Sequence, residues 1–268
     1  MAARPRSEPF AERACPVGAC DGSGWILGPE DVARPCECRE QRLKRGRNRG
    51  VASGIPPKFR GVSFDRPPVD SQIDRIAVSV AREYVDNLGE NLASGQGLWF
   101  MGNTGTGKTT LAMLISKHAI AAGHSVAIYT MPKLLSRIRS TFERDTEDDS
   151  YVQFFHRLSQ VDLLHIDDVG AEKRSSWVLE QLYSILNERY EQERSIIATT
   201  NLDREEFRDD PPKGVRKARI GDEDPVAWLR RLEEETGKRT VSRLIEICGD
   251  PIPMFGADSR IQFKVAGT

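Results

Sequence analysis

Short apolar runs, each bounded by glycine, polar or acidic residues, recur through the middle of the chain, as the buried strands of a parallel sheet do. The runs cover residues 98–101, 126–129, 163–166 and 196–198. Between the last two, residues 175–192 place apolar side chains at helical spacing, which predicts an amphipathic helix packed on the sheet. The alternation of strands and helices from about residue 60 favours an α/β fold with a mainly parallel sheet.

The first part of the chain has a different composition, because residues 1 to about 45 contain too few aliphatic side chains for an independent core. A basic run follows, opposed only by Glu40; its members are Arg39, Arg42, Lys44, Arg45, Arg47 and Arg49. Such a run either contacts phosphate or an acidic partner or is a solvated linker. Pro56 and Pro57 then interrupt the chain. We predict a small module with a basic linker over residues 1–50 and a second domain over residues 55–268.

The five cysteines are unevenly distributed, since Cys15, Cys20, Cys36 and Cys38 lie in the N-terminal module and Cys248 stands alone. In a reducing compartment such a cluster indicates a metal site before a disulfide framework. The spacing C-x4-C, 15 residues, C-x-C is consistent with four thiolates around Zn²⁺, which leaves no open position for catalysis. The alternative is a group of reduced or redox-active thiols. We predict a structural zinc ion, and a packing role for Cys248.

The charge of the whole chain adds one restriction. Its 268 residues include 39 Lys and Arg against 40 Asp and Glu, so the formal net charge is −1. A global basic excess, the simplest argument for a nucleic-acid protein, is therefore missing, and any such role must be local. No apolar run approaches the roughly 20 residues of a membrane helix, and the polar start lacks an apolar signal core. We expect a cytoplasmic protein.

The strongest motif follows the first apolar run, where residues 102–109 match G-x-x-x-x-G-K-[ST] and a helical run comes next. Its glycines let the backbone form a nest of N–H groups at a helix N-terminus, which attracts a polyphosphate. Lys108 would reach the β- and γ-phosphates, and the Thr109 hydroxyl would join the Mg²⁺ shell. The alternative is a glycine-rich turn that matches by chance. The predicted nucleotide-binding residues are Gly102, Asn103, Thr104, Gly105, Thr106, Gly107, Lys108, Thr109 and Thr110.

Two acids end the third apolar run. Because ligand sites lie at the carboxyl ends of parallel strands, we expect Asp167 and Asp168 beside the phosphate loop. Asp167 would hold the Mg²⁺ of the bound nucleotide through water, and Asp168 is the better candidate to orient or deprotonate the attacking water. The alternative is that both acids cap the next element. His165, inside the same run, is predicted to be a packing residue.

Together these motifs resemble the AAA+ ATPases of the DnaC/DnaI helicase-loader and IstB transposition-helper group. The resemblance covers roughly residues 55–265 and rests on segments 102–110, 166–173, 186–190, 199–202 and 241–244. Segments 166–173 and 199–202 are far more specific than the phosphate loop, which many NTPases share. The resemblance implies a P-loop NTPase fold with an AAA+ core and no full C-terminal lid. Residues 55–268 would then form an AAA+ ATPase domain that hydrolyses ATP with Mg²⁺.

The resemblance also implies roles for three further residues. Asn201 would hold the attacking water or the γ-phosphate, and Arg243 would be the arginine finger that reaches the γ-phosphate of a neighbouring subunit. Arg260 would be a further phosphate sensor. From the residues alone, Asn201 could end a strand at a turn, and Arg243 could be an ordinary helix-surface arginine. A trans-acting Arg243 implies self-association or assembly with a helicase. The charged insertion at residues 207–235 departs from the family pattern and has no assigned function.

Contact with single-stranded DNA is likewise implied by the resemblance, through the segment after the second predicted strand. An apolar stripe in residues 131–142 would leave basic residues at the surface; they are Lys133, Arg137 and Arg139. Such an edge could follow phosphates, or it could be an ordinary cationic helix face. Phe142 is the aromatic residue nearby. In DnaI-like loaders a domain at the N-terminal end binds the replicative helicase, so the cysteine module is the candidate for that surface.

The leading functional prediction is an ATP-hydrolysing loader that places a replicative helicase on single-stranded DNA during replication. The first alternative is an IstB-like transposition helper that binds DNA and stimulates a transposase, and the cysteine module argues modestly against it. The second alternative is a nucleotide-gated adaptor that does not hydrolyse ATP. All three require a nucleotide at residues 102–110 and differ in partner or in hydrolysis.

Overall fold

The structure is a computed structural model that describes residues 15, 17–21, 23–28, 32–39, 54–143, 150–170, 175–201, 233–234, 236–256 and 258. The chain divides into two compact units, Met1–Gly50 and Val51–Thr268, which are described separately. Three sequence predictions concern residues outside this description: the basic residues 42–49, nearly all of the insertion 207–235, and Arg260.

The first unit contains a short hairpin. Strand β1 (Trp25–Leu27) pairs antiparallel with β2 (Ala33–Pro35). Gly24 precedes β1 with a φ of +84°, a conformation that favours glycine. Where side chains of this unit are described, the buried ones are the thiols of Cys36 and Cys38. Among the side chains described in this unit, cysteines and not aliphatic residues are therefore the buried ones.

The described residues of the second unit form a five-stranded sheet in the order β4-β5-β6-β3-β7, and every neighbouring pair is parallel. The strands are β3 (Leu98–Gly102), β4 (Val126–Thr130), β5 (Leu163–Asp167), β6 (Ser195–Asn201) and β7 (Ile252–Met254). Strands β3 to β6 confirm the four predicted strands. The apolar pattern does not predict β7, because it has three residues and a central proline, which a sheet tolerates at an edge.

Helices cover both faces of this sheet. They are α1 (Arg75–Asp86), α2 (Leu88–Ala93), α3 (Lys108–Ala121), α4 (Met131–Glu143), α5 (Tyr151–Gln160), α6 (Ser176–Glu191) and α7 (Lys238–Cys248). Because side chains alternate along a strand, Phe100 packs with α1 and α3, whereas Trp99 packs with α4, α6 and α7. This layered arrangement confirms the predicted α/β fold with a mainly parallel sheet.

Helix α6 confirms the helix predicted over residues 175–192. The Ser175 hydroxyl accepts a hydrogen bond from the Val178 backbone N–H at 3.3 Å and so caps the helix, and the predicted apolar stripe is buried.

After β7, the described residues 255, 256 and 258 include no helical lid. Among the described helices, none has the length and apolar character that crossing a membrane requires.

Arg189 on α6 is fully buried, which is exceptional for an arginine. Its guanidinium donates to the backbone carbonyl oxygens of Leu158 at 2.9 Å, Val161 at 3.1 Å and Ser195 at 2.6 Å. Burial lowers the pKa of Arg189 to about 9. The side chain therefore joins α6 to the chain that leads into β5 and β6, at the amino edge of the sheet.

Candidate nucleotide site and cysteine cluster

The phosphate loop lies at the carboxyl edge of the sheet, between the end of β3 at Gly102 and the start of α3 at Lys108. Gly105 and Gly107 have φ values of +82° and +98°, which other residues rarely adopt. A Cβ on Gly107 would also lie 2.5 Å from Cδ1 of Ile73, so this close packing requires glycine. The glycines thus give the loop its turn, and the first N–H groups of α3 are left without intrahelical partners for an anion to use.

Lys108 and Thr109 occupy the first turn of α3. The Lys108 Nζ is nearly buried and donates to the carbonyl oxygens of Gly102 at 2.9 Å and Asn103 at 2.6 Å. The ammonium group is therefore held at the loop, where phosphate oxygens could replace these carbonyl partners. The Thr109 hydroxyl donates to Asp167 Oδ1 at 2.9 Å, which joins the phosphate loop to β5.

Asp167 and Asp168 mark the end of β5, and the neighbouring strand β6 supplies their partners. Asp167 Oδ1 accepts hydrogen bonds from Thr109 and from the Thr199 hydroxyl, the latter at 2.7 Å. The Asp168 backbone N–H donates to Thr199 Oγ1 at 2.9 Å, and Asn201 Nδ2 donates to the Asp168 carboxylate. Parallel pairing of β5 with β6 thus brings both acids and Asn201 to one edge of the sheet.

Asp168 has the features of a functional acid. Its φ of +60° is uncommon for a residue other than glycine, although Asp tolerates this region better than most. Partial burial and the charge of Asp167 raise the pKa of Asp168, while Lys108 and the hydrogen bond from Asn201 oppose the rise. A carboxylate with a raised pKa is a stronger base for a proton of water. An uncommon backbone conformation together with a shifted pKa is typical of functional sites.

Two residues of this site were not assigned roles from the sequence. Thr199 links Asp167 to Asp168 through its hydroxyl group. In the sequence it is marked only by its place in segment 199–202 of the family resemblance. Asp258 follows β7, and its Oδ1 would lie 2.1 Å from a Cβ on Gly105, so its carboxylate packs against the phosphate loop. This approach depends on an edge strand that the apolar pattern does not predict.

The other predicted residues of the loop lie around these groups. Thr104 is exposed, Thr110 is half-buried, and the Thr106 hydroxyl donates to the Asn103 carbonyl oxygen at 2.9 Å. His165 is buried within β5, where burial lowers its pKa to about 3 and its Nδ1 lies 3.1 Å from the Ser116 hydroxyl. It is a neutral packing residue, as the sequence predicts.

Arg243 lies on α7 and packs against α6. Its Nε donates to Asn187 Oδ1 at 3.0 Å, its guanidinium carbon lies 4.4 Å from the centroid of the Tyr190 ring, and it pairs with Glu246. The side chain is 26% exposed, so these contacts orient the guanidinium while part of it faces outward. Its role toward a neighbouring subunit stays a prediction.

Cys248, at the end of the same helix, is buried as predicted.

Helix α4 buries its apolar stripe, Leu134, Leu135 and Ile138, as predicted. Lys133 and Arg139 are exposed, and Arg137 is half-buried. The basic edge therefore exists as a surface feature.

Aromatic side chains from three helices gather near that edge. Phe142 is 60% exposed and stacks on Tyr151 with ring centroids 4.7 Å apart, and Tyr151 in turn contacts Phe155. The guanidinium carbon of Arg139 lies 4.8 Å from the centroid of the Trp177 ring. The sequence points only to Phe142, because Tyr151 and Trp177 come from α5 and α6.

The four N-terminal cysteines converge in the first unit. Their Sγ atoms all lie within 4.8 Å of one another, with Cys20 and Cys38 at 3.5 Å and Cys15 and Cys36 at 3.8 Å. Thiolates around tetrahedral zinc, at a Zn–S distance of about 2.3 Å, would lie about 3.8 Å apart. Burial and the neighbouring thiols raise the pKa of Cys38, so a bound cation would favour the loss of its proton. The donor set therefore fits zinc.

Known proteins resemble this chain in sequence and in fold. A family model described as IstB-like ATP binding protein matches residues 85–210. The replicative helicase loader DnaC of Escherichia coli K12 is 33% identical over 171 residues, which are 64% of this chain and 66% of that protein. The loader DnaC of Buchnera aphidicola subsp. Schizaphis graminum is 30% identical over 177 residues, which are 66% and 68%. The chain belongs to the DnaC family. A crystal structure of the DnaC helicase loader, 20% identical, aligns over 75% of this chain and 100% of that chain with a TM-score of 0.57.

DnaC-family membership accounts for the layout of the second unit, an AAA+ P-loop fold of an ATP-binding family. The matches span about two thirds of the length of the two DnaC relatives. The match to the family model begins at residue 85, downstream of the cysteine cluster.

Proposed function

We propose that this chain is a Mg²⁺-dependent ATPase that loads a replicative helicase onto single-stranded DNA. DnaC-family membership carries the proposal. The site supports the chemistry, because the phosphate loop, Asp167, Asp168 and Asn201 meet at one edge of the sheet. Since a loader acts on the chromosome, the proposal places the chain in the cytoplasm.

In the proposed reaction, the N–H groups of residues 102–110 and the Lys108 ammonium bind the phosphates of ATP. Thr109 and Asp167 supply the hard oxygen donors that Mg²⁺ prefers, and the bound metal would neutralise phosphate charge. Asp168 accepts a proton from the attacking water, which Asn201 helps to hold in line. The water oxygen bonds to the γ-phosphorus as the bond to ADP breaks, which yields ADP and phosphate.

The cysteine module is the proposed surface for the helicase. Three of its apolar side chains are exposed: Val17 at 52%, Trp25 at 40% and Val32 at 64%. The Arg39 guanidinium carbon lies 3.8 Å from the centroid of the Trp25 ring and restricts that side chain. We propose that these exposed apolar groups form part of one protein contact surface. In the proposal, bound zinc stabilises the fold of the module and so the position of these side chains.

A Lys108→Ala protein should release phosphate at least about 100-fold more slowly than the unmodified chain, because the ammonium that stabilises the phosphates is gone. It should also fail to transfer the replicative helicase of its own host onto a single-stranded DNA circle. The measurements are steady-state phosphate release and unwinding by the loaded helicase, with ATP and with ADP. Lys58→Ala, an exposed lysine outside the site, is the control and should behave as the unmodified chain.

Other outcomes of this experiment would favour the alternatives. Undiminished loading by Lys108→Ala would contradict the site assignment, and failure of the unmodified chain to bind the helicase in ATP would contradict the loader role. The match to the IstB-like model favours a transposition helper as the second candidate, and stimulation of a transposase would support it. A chain that recruits the helicase in ATP without releasing phosphate, with or without DNA, would be a nucleotide-gated adaptor.

The proposed surface for single-stranded DNA is the basic edge of α4 with the adjoining aromatic rings. Lys133 and Arg139 offer cations for the phosphates, and Phe142 offers an exposed ring on which a base can stack. The Tyr151 ring stacks on Phe142, and the Trp177 ring lies against the Arg139 guanidinium. A strip that combines cations with supported aromatic faces is typical of sequence-tolerant binding to single strands.

Replacing Phe142 by Ala should weaken binding to an oligothymidine about tenfold, the loss expected when one stacked base is given up. Fluorescence anisotropy of a labelled oligonucleotide, with ATP present, measures this affinity. Ile76→Ala is the matched control, since Ile76 on α1 is an exposed apolar residue remote from α4 in the sequence, at 73% exposure. Equal affinity for Phe142→Ala and the control would place the DNA elsewhere.

A further inference from the structure

Asp258 places a carboxylate against the loop that binds a polyanion. An ideal Cβ on Gly105 would lie 2.1 Å from Oδ1 of Asp258, 2.2 Å from its Cγ and 2.7 Å from its Oδ2. The whole carboxylate group therefore lies where a side chain of this loop residue would be. A nucleotide phosphate that enters the loop therefore meets this negative charge.

The sheet itself brings Asp258 to this place. Strand β7 pairs with β3 in a register that puts Met254 beside Gly102, and a Cβ on Gly102 would lie 2.0 Å from the Met254 carbonyl oxygen. This approach is so close that only glycine fits at the end of β3. Asp258 follows Met254 by four residues and is half-buried. Its position is thus tied to the strand that flanks the phosphate loop.

The phosphate loop can attract two anions, the carboxylate of Asp258 and the phosphates of a nucleotide. The N–H groups of the loop and the Lys108 ammonium attract a carboxylate and a phosphate alike. Asp167 is held by hydrogen bonds from Thr109 and Thr199, as a carboxylate that belongs to the magnesium site would be. Asp258 follows the edge strand β7, and its carboxylate packs against Gly105 of the loop. When the Asp258 carboxylate and a nucleotide phosphate are both close to the loop, their negative charges repel strongly because water is partly excluded.

We propose that Asp258 is a nucleotide-site residue that competes with the polyphosphate for the loop, and so lowers the affinity of the chain for ATP and ADP. Binding of either nucleotide displaces the carboxylate, which couples occupation of the loop to the segment that follows β7. The inference deepens the proposed function and rests on one part of it, nucleotide binding at residues 102–110. It does not depend on the helicase or on DNA.

The test compares nucleotide affinities of the full chain and its Asp258→Asn and Asp258→Ala variants by titration with ADP and ATP. Both variants should bind ADP about tenfold more tightly, because one partly screened like charge has been removed. The inhibition constant of inorganic tripolyphosphate, obtained by competition with a fluorescent ADP analogue and corrected for the affinity of that analogue for each variant, should fall by a similar factor, since the effect falls on the phosphates. Asp250→Asn, an exposed acid just before β7, is the matched control and should leave every affinity unchanged.

Unchanged affinity in both variants, or weaker binding in both, would overturn the inference. Weaker binding would make Asp258 a ligand of the nucleotide or of its cation. Asn is nearly isosteric with Asp, and thermal unfolding of each variant shows whether the fold is retained. If the unmodified chain bound no nucleotide, the proposed function would fail, which is a different result from equal affinities among chains that all bind.

Discussion

An Arg243→Ala protein is expected to bind ATP as tightly as the unmodified chain and to hydrolyse it about 1,000-fold more slowly in the assembled state. A finger guanidinium stabilises the charge that develops on the γ-phosphoryl group, so its loss falls on kcat and not on nucleotide affinity. Asn187, Tyr190 and Glu246 already orient this side chain, which stays 26% exposed. Phosphate release with saturating ATP, beside a nucleotide titration, measures the two quantities.

A mixing experiment separates action on a neighbour from action within one chain. Lys108→Ala protomers have an impaired phosphate loop and an intact Arg243, whereas Arg243→Ala protomers have the reverse. If Arg243 acts on a neighbouring subunit, mixing the two inactive proteins should restore part of the phosphate release. Absence of recovery at every mixing ratio would contradict action in trans. Arg239→Ala, an exposed arginine on the same helix, is the matched control and should stay fully active.

The contacts that Arg243 makes within its own chain define the competing explanation. An arginine that only joins α6 to α7 would, when replaced by Ala, lower the midpoint of thermal unfolding and leave kcat nearly unchanged. Asn187→Ala would then have the same effect, since it removes the same tie. For a finger, kcat falls much further with Arg243→Ala than with Asn187→Ala. Arg243→Lys recovers little of it, because an ammonium lacks the planar fork of a guanidinium.

Much of the candidate nucleotide site could be predicted from the sequence because the determinants of the phosphate loop are local. Residues 102–109 lie consecutively between a strand and a helix, and Gly105 and Gly107 allow the positive φ values that the turn of this short loop requires. Asp168 and Asn201 are far apart in sequence, and the role of Asn201 is implied by the family resemblance and not by the strand pattern. The structure shows that the parallel pairing of β5 with β6 brings the two residues to one edge of the sheet. The structure adds the hydrogen bonds through Thr199 that the pattern cannot supply.

Asp258 and Arg189 could not be assigned from the sequence because their environments are made by distant segments. Asp258 reaches the loop through β7, whose three residues carry no strand signal. Arg189 resembles an ordinary helix-surface arginine, since a charged residue near a helix end is usually exposed. Only the folded chain shows that backbone carbonyl groups of Leu158, Val161 and Ser195 converge on it. Long-range packing, and not local pattern, decides both cases.

Zinc should prove essential for the first unit and dispensable for the second. The described residues of the first unit bury thiols where a self-sufficient domain would bury aliphatic side chains, so the free energy of metal binding has to supply its stability. The purified chain should contain one zinc per molecule, and removal of zinc by a chelator should make the chain more susceptible to trypsin cleavage after Arg39, which is half-buried. Thermal unfolding of the second unit and its affinity for ADP should not change.

Matched cysteine variants decide whether the cluster holds the metal. A chain with Cys36→Ser and Cys38→Ser should lose its zinc and lose contact with the helicase, because both removed ligands are buried in the module. Cys248→Ala is the control, since Cys248 is a buried cysteine at the end of α7 and should not affect metal content. Retention of zinc by the double variant, measured by elemental analysis, would show that the thiols form no metal site. Loss of zinc with undisturbed helicase binding would leave the ion structural and move the partner surface to the second unit.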